Sequence, residues 1–344
     1  MMTILCKLHF LFYPSTIPAP EVTRAYGGFI HTIEEKNIQI IGVDAGYGNI
    51  KTANTVFATG ITAYDHEPMF GGNVMEYQGK WYRIGESHKA FNPDKTCDED
   101  FRLLTYAAIA AELAHHEMTS AQVQLAAGLP LSWTARHREE FRSYLMENRD
   151  IRLRFNDEDY RFTLVGCHVF PQGYSALVPM IYYNKNRFDG TTVMADIGNG
   201  TLDTLFMVNG KPDESRCFTE DLGVKQCIMA IRKELSNRYA LNIEEPIIQQ
   251  ALLTGTADLD RPYLDVIFTV ARQYVEAIFD TLHSYGYDPR TMRLFIVGGG
   301  GVLVQNFGQY DKRRTEIITD LCANAKGFEF LAYGLTWGEK RALR

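Results

Sequence analysis

Apolar positions along the chain switch repeatedly between a period of two and a period near 3.6. Ile38-Gln39-Ile40-Ile41-Gly42-Val43-Asp44 is a β-branched run closed by Ala45-Gly46-Tyr47-Gly48, the pattern of a buried strand entering a turn. Asn49 to Phe57 reads as its hairpin partner, and a further strand surrounds the turn Gln78-Gly79-Lys80, with Trp81-Tyr82-Arg83-Ile84 after it. Between Asp98 and Glu117 the period changes: Phe101, Leu104, Ala108, Ile109 and Leu113 share one helical face. Val123–Ala127 returns to strand and Ser132–Asn148 to helix. Farther on, Thr191–Ala195, Leu202–Val208 and Arg293–Val297 are strand-like. Val266, Ile267, Val270, Tyr274, Ile278 and Leu282 recur at helical spacing, which suits a core-packed helix and equally a face that contacts another protein. This alternation predicts an α/β fold.

Composition narrows the class without changing it. With 344 residues, 46% hydrophobic and 22% charged, the chain suits about two globular domains and excludes a disordered or collagenous one. The net charge of −7 withholds the attraction that drives non-specific binding to nucleic-acid phosphates, so no direct nucleic-acid contact is expected. Six cysteines without a C-x-x-C pair suit neither a disulfide scaffold nor structural zinc, and imply a reducing, cytoplasmic setting. Met1 to Lys36 stands apart. Its apolar start is broken by Lys7 and His9 and followed by Pro14, Pro18 and Pro20, which predicts a flexible extension and no membrane span.

The most informative feature is an internal repeat. Asp44-Ala45-Gly46-Tyr47-Gly48-Asn49-Ile50-Lys51-Thr52 aligns with Asp196-Ile197-Gly198-Asn199-Gly200-Thr201-Leu202-Asp203-Thr204, at an offset of about one domain length. One Asp-Gly hairpin has ordinary turn chemistry. Two copies a domain apart imply two similar halves. Glycines let backbone N–H groups approach phosphate oxygens, an aspartate at each strand end can hold Mg²⁺ directly or through water, and Lys51 adds a positive charge. Neither copy is a P-loop or a dinucleotide fingerprint. A third cluster follows a strand, Val297 running into Gly298-Gly299-Gly300-Gly301, where a side-chain-free surface would suit a base or ribose and a tight turn would suit equally.

These residues resemble the actin-like ATPase superfamily. Asp44–Lys51 looks like its first phosphate hairpin, Asp196–Asp203 its second, and Val297–Gly301 its adenosine segment. Pro171-Gln172-Gly173-Tyr174-Ser175-Ala176 is similar to its first connection between halves, and the stretch from Ala325 to Gly334 to its second. Within the superfamily, Asp44–Lys51, Gly128-Leu129-Pro130-Leu131-Ser132 and Asp221-Leu222-Gly223-Val224 are most similar to the ParM/StbA group of bacterial plasmid-segregation actins.

The resemblance implies two related ribonuclease-H-like halves with ATP or ADP and Mg²⁺ in the cleft between them. One half would comprise residues 37–188 and 322–344, the other residues 189–321. It implies a slow ATPase that polymerises into filaments and reaches plasmid or mobile-element DNA through a ParR-type adaptor, which suits the acidic charge. Asp44 and Asp196 would organise Mg²⁺ and its waters. Gly46, Tyr47, Gly48, Asn49, Lys51, Gly198, Asn199, Gly200 and Thr201 would engage the phosphates. Glu220, Gly223 and Lys225 would border ribose and base, with Gly298, Gly299, Gly300 and Gly301 against the adenosine; Asp203 could join the magnesium water shell or face solvent. Gln172 stands where the plasmid actins commonly carry glutamate; an amide can orient water but is a poor general base. A small-molecule kinase and a non-polymerising nucleotide switch are the alternatives on this scaffold. A chaperone is not expected, since no substrate domain follows the ATPase core in these 344 residues.

Overall fold

The protein is described by a computed structural model at residues 31–33, 37–69, 73–86 and 99–342. It divides into two compact units, one containing residues up to Pro179 together with those from Cys322 onward, the other Met180–Leu321.

The first unit opens with β1 (His31–Ile33), β2 (Ile38–Ala45), β3 (Asn49–Lys51), β4 (Val56–Ala58), β5 (Ile61–Tyr64), β6 (Asn73–Tyr77) and β7 (Lys80–Ile84). Helix α1 (Glu99–His115) leads into β8 (Ser120–Leu129), then α2 (Leu131–Leu145), β9 (Asp150–Phe155), β10 (Glu158–Pro171) and α3 (Tyr174–Tyr183), whose last four residues belong to the second unit. Among the described residues, the strands form one sheet in the order β4-β3-β2-β8-β10-β9-β6-β7-β5, with β1 also against β2. β2, β8 and β10 run parallel at its centre, and β3 and β4 fold back antiparallel beside β2. The helical spacing from Phe101 to Leu113 yields α1, whose apolar face is fully buried.

The extension expected to end at Lys36 contributes β1, antiparallel to Ile38–Ile40; residues 1–30 and 34–36 lie outside the described residues. The expected hairpin partner, Asn49 to Phe57, is two strands, because Thr52 and Thr55 close a turn between them: the Thr52 N–H donates to the Thr55 carbonyl at 2.9 Å.

The second unit contains β11 (Thr191–Ile197), β12 (Leu202–Val208), β13 (Lys211–Glu220), α4 (Val224–Tyr239), α5 (Glu245–Thr254), α6 (Arg261–Ser284), β14 (Arg293–Val297), α7 (Gly301–Phe307) and β15 (Thr315–Ile317). Its sheet order is β13-β12-β11-β14-β15, with an antiparallel meander on one side and parallel strands on the other. The core of the first sheet, β4-β3-β2-β8-β10, has the same order and the same directions. The sequence repeat is therefore a structural repeat: both Asp-Gly copies join the first and second strands of equivalent sheets.

The last helix, α8 (Ala323–Ala342), belongs to the first unit. It seats on β2 and β8 through glycines that admit close approach. A Cβ on Gly42 would fall 2.1 Å from the Ala325 carbonyl oxygen, and one on Gly128 would fall 2.1 Å from the Phe328 ring. Gly42 also donates its N–H to the buried Glu329 carboxylate at 2.9 Å.

Candidate functional site

Each repeat copy forms the same tight hairpin. In the first, Asp44 lies opposite Lys51 and the Gly46 N–H donates to the Asn49 carbonyl at 3.1 Å. In the second, Asp196 lies opposite Asp203 and the Gly198 N–H donates to the Thr201 carbonyl at 2.9 Å. A glycine opens both turns, and on Gly46 a Cβ would fall 3.0 Å from the Asn49 oxygen and 3.6 Å from the Lys51 ammonium.

Within the first unit the expected residues converge on the Asp44 carboxylate, which is buried at the end of β2. Lys51 Nζ approaches one oxygen at 3.0 Å, and Gln172 Nε2 donates to the other at 2.6 Å. Gln172 arrives there because β10 ends beside β8: its N–H donates to the Leu129 carbonyl at 2.8 Å. The turn that follows is pinned from α8, where Asn324 Oδ1 accepts the Gly173 N–H at 2.8 Å. Gly173 has φ of +72°, a left-handed conformation that glycine adopts without a Cβ penalty. At the hairpin tip, Thr59 binds the Tyr47 and Gly48 carbonyls through its hydroxyl, at 2.7 and 3.3 Å, and the Tyr47 ring packs edge-on against Phe101.

The second hairpin is braced from a different side. The first two N–H groups of α4, from Val224 and Lys225, donate to the Gly198 and Asn199 carbonyls at 3.1 and 2.9 Å. Gly223 makes this possible, since a Cβ there would sit 2.4 Å from the Asn199 carbonyl oxygen. Asp203 accepts the Thr201 and Thr219 hydroxyls at 2.9 and 2.5 Å. Glu220 lies opposite Leu202 and binds the Tyr285 hydroxyl; that hydrogen bond pushes the Tyr285 phenol above its ordinary range. Tyr274 fixes the preceding turn through the Leu222 carbonyl at 2.8 Å, and burial raises its phenol far above the usual range.

The four-glycine segment is explained largely by packing. Gly298 has φ of +84°, and a Cβ on it would lie 2.4 Å from Asp196 Oδ1. Gly300 donates its N–H to the Ile197 carbonyl at 2.9 Å, and its Cβ would strike the Ile197 side chain. The segment thus presses β14 against the foot of the second hairpin. Gly299 has the open surface: the nearest atom to a Cβ there is 3.9 Å away.

Asn324, Thr59, Tyr274 and Tyr285 brace the candidate residues, a role that sequence reading did not give them. Only Asn324, one residue before the stretch similar to the second connection, lay near a recognised motif. Among the described residues no group of three or more His, Cys, Asp or Glu could hold a metal, so a cation here would depend on ligand oxygens and water as much as on protein. No described helix is long and apolar enough to cross a membrane.

Residues 42–174 match the family model described as "Actin like proteins N terminal domain". Among curated proteins, none matches the chain in sequence. Solved structures do. The apo psk41 ParM protein is 16% identical, with 88% of this chain and 99% of that one covered and a TM-score of 0.66. The Alp12 filament structure is 20% identical over 87% and 99%, with a TM-score of 0.63. ParM of Bacillus thuringiensis with ATP is 15% identical over 88% and 100%, with a TM-score of 0.61. At such identities the likeness establishes fold alone. With the matching sheet topologies and twin hairpins, the fold is actin-like, and residues 42–174 are similar to the N-terminal domain of actin-like proteins.

Proposed function

We propose that the chain binds and slowly hydrolyses ATP and polymerises into filaments that segregate plasmid or mobile-element DNA through a DNA-bound adaptor of ParR type. The observation that carries this reading is the duplication of one Asp-Gly hairpin at the same place in two sheets of the same topology. A polyphosphate needs many backbone donors and a cation, and each hairpin offers glycine-flanked N–H groups beside a strand-terminal aspartate. That two of the solved structures it resembles are a filament and an ATP complex supports self-association and adenine nucleotide as ligand.

The carboxylates of Asp44 and Asp196 are each suited to accept from the water shell of a Mg²⁺ held mainly by phosphate. When bound, the ion would neutralise charge on the phosphates. Asp44, already engaged by Lys51 and Gln172, serves best as an acceptor that orients. Gln172, fixed by its own N–H and by Asp44, is the group placed to position a water. Its neutral amide sets a slow, positioning-dominated hydrolysis. Lys51 reaches the β- and γ-phosphates from its place across Asp44.

Light scattering with electron microscopy, run beside Asp196→Ala, tests the reading. Filaments that require ATP and Mg²⁺, and disappear in the variant, are the expected result. Phosphate passing to an added metabolite without filaments would instead assign a kinase. Faster turnover in Gln172→Ala than in the parent would remove Gln172 from the mechanism.

A further inference from the structure

A fully buried carboxylate in the first unit has no part in the site described so far. Glu112 lies on the apolar face of α1 with no solvent exposure. A carboxylate in that setting must have its oxygens satisfied, and each donor it gathers is held firmly in return. Among the described residues, its partners come from the turn between β3 and β4 and from His116, just past the end of α1. The Thr52 hydroxyl donates to Oε2, the Asn54 N–H reaches the same oxygen at 3.3 Å, and Asn54 Nδ2 donates to Oε1 at 2.5 Å. His116 Nε2 lies 3.3 Å from Oε1 and from Asn54 Nδ2. Thr52 in turn accepts the Thr55 N–H at 2.9 Å, so one carboxylate fixes the whole turn.

The residue preceding Thr52 is Lys51. Strand β3 has only three residues, Asn49–Lys51, so its position is set by what holds its two ends. The Asp-Gly turn holds one end, and the Glu112 clamp holds the other. The second unit supplies a comparison without a clamp. Thr204 occupies the place of Thr52 in the repeat, is equally buried, and its hydroxyl has no hydrogen-bond partner. The hydroxyl at this place therefore meets no carboxylate in the copy that carries aspartate in place of lysine.

We infer that Glu112, acting through Thr52 and Asn54, is a positioning residue that sets Lys51 for the distal phosphates of the nucleotide. The inference rests on the nucleotide reading above. It predicts a defect confined to ligands that carry a β-phosphate, because only those meet Lys51.

The test is a set of binding titrations with ATP, ADP and AMP on the full chain and on Thr52→Ser, Thr52→Val, Asn54→Ala, Lys51→Met and Lys51→Met/Thr52→Val. Thermal melts accompany them to confirm folding. Thr52→Ser, which keeps the hydroxyl, is expected to bind as the parent does. Thr52→Val and Asn54→Ala are each expected to bind ATP and ADP about fivefold more weakly, the loss of roughly one charge-assisted contact. AMP binding should not move. In the Lys51→Met background the valine should add nothing, since the two changes remove one shared interaction. Should Thr52→Val fail to fold, the more accessible Asn54→Ala carries the test. ATP binding by the valine or alanine variant as tight as that of Thr52→Ser overturns the inference, as does an equal loss for AMP or additivity with Lys51→Met. A parent chain that binds no adenine nucleotide overturns the underlying reading and this inference with it.

Discussion

The two hairpins share a backbone and differ in charge. In the first, the position across from the aspartate is Lys51, and a buried carboxylate finds its counter-ion within its own turn. In the second, the same position is Asp203, so two carboxylates face each other across the strands, a pairing that costs stability on its own. Asp203 meets that cost partly through two threonine hydroxyls. Duplication has preserved what the turn demands, a glycine with room to close, and has let the electrostatics diverge. The first copy pairs its aspartate with a cation of its own, and the second sets carboxylate against carboxylate.

The largest effect should come from breaking the first pair. Asp44→Ala strips Lys51 of a buried partner and is expected to cost about 3 kcal/mol in urea unfolding, the scale of a half-broken buried pair. If it costs no more than Asp203→Ala, that pair does not set the first hairpin apart. Next comes Gly298→Ala, which combines a left-handed backbone with a clash on Asp196 and should cost about 2 kcal/mol. It should also perturb cation-dependent binding, whereas an alanine at Gly299 should leave stability within about 0.5 kcal/mol. Asp203→Ala removes an acceptor from two hydroxyls at a partly exposed place. About 1 kcal/mol is expected, and a gain in stability would mean that repulsion from Asp196 outweighs those bonds.

A different kind of effect is one the two units should share. Burial pushes the thiols of Cys167 and Cys227 up to about 12 and that of Cys217 up to about 11, and it raises the Tyr106 phenol to about 12. An acid whose pKa is raised on folding holds its proton in the native state after the unfolded chain has lost it. Between about pH 9 and pH 12 the native state therefore binds more protons, and stability falls as pH rises. Below pH 8 no such slope should appear. Alkaline urea titrations that show rising stability would contradict these burials.

Local chemistry was legible in the sequence and distant convergence was not. Both hairpins could be found because turn geometry requires Gly at fixed offsets from Asp within nine residues. The hairpin of β9 and β10 went unread, although Ile151, Leu153 and Phe155 alternate with exposed Asp150, Arg152 and Arg154, and Asn156-Asp157 both take positive φ in the turn. That signal was available. The contact between Gln172 and Asp44 spans 128 positions, and no local pattern encodes it. Glu112 falls at helical spacing from Ala108 and Ile109 on the apolar face, but no local pattern names its partners Thr52 and Asn54. The four glycines illustrate a third case, in which composition was noticed but packing on Asp196 and Ile197 explains most of it.

The seating of α8 has a consequence for synthesis. Gly42, Gly128 and the Gly173 turn are all closed by side chains or backbone from residues 324–329. A chain emerging from the ribosome can complete the sheet of the second unit while the first still lacks the helix that covers β2 and β8. The unit made first is finished last, and until α8 has been translated the buried face of β8 must wait for a cover made about 190 residues later, and that of β2 about 280.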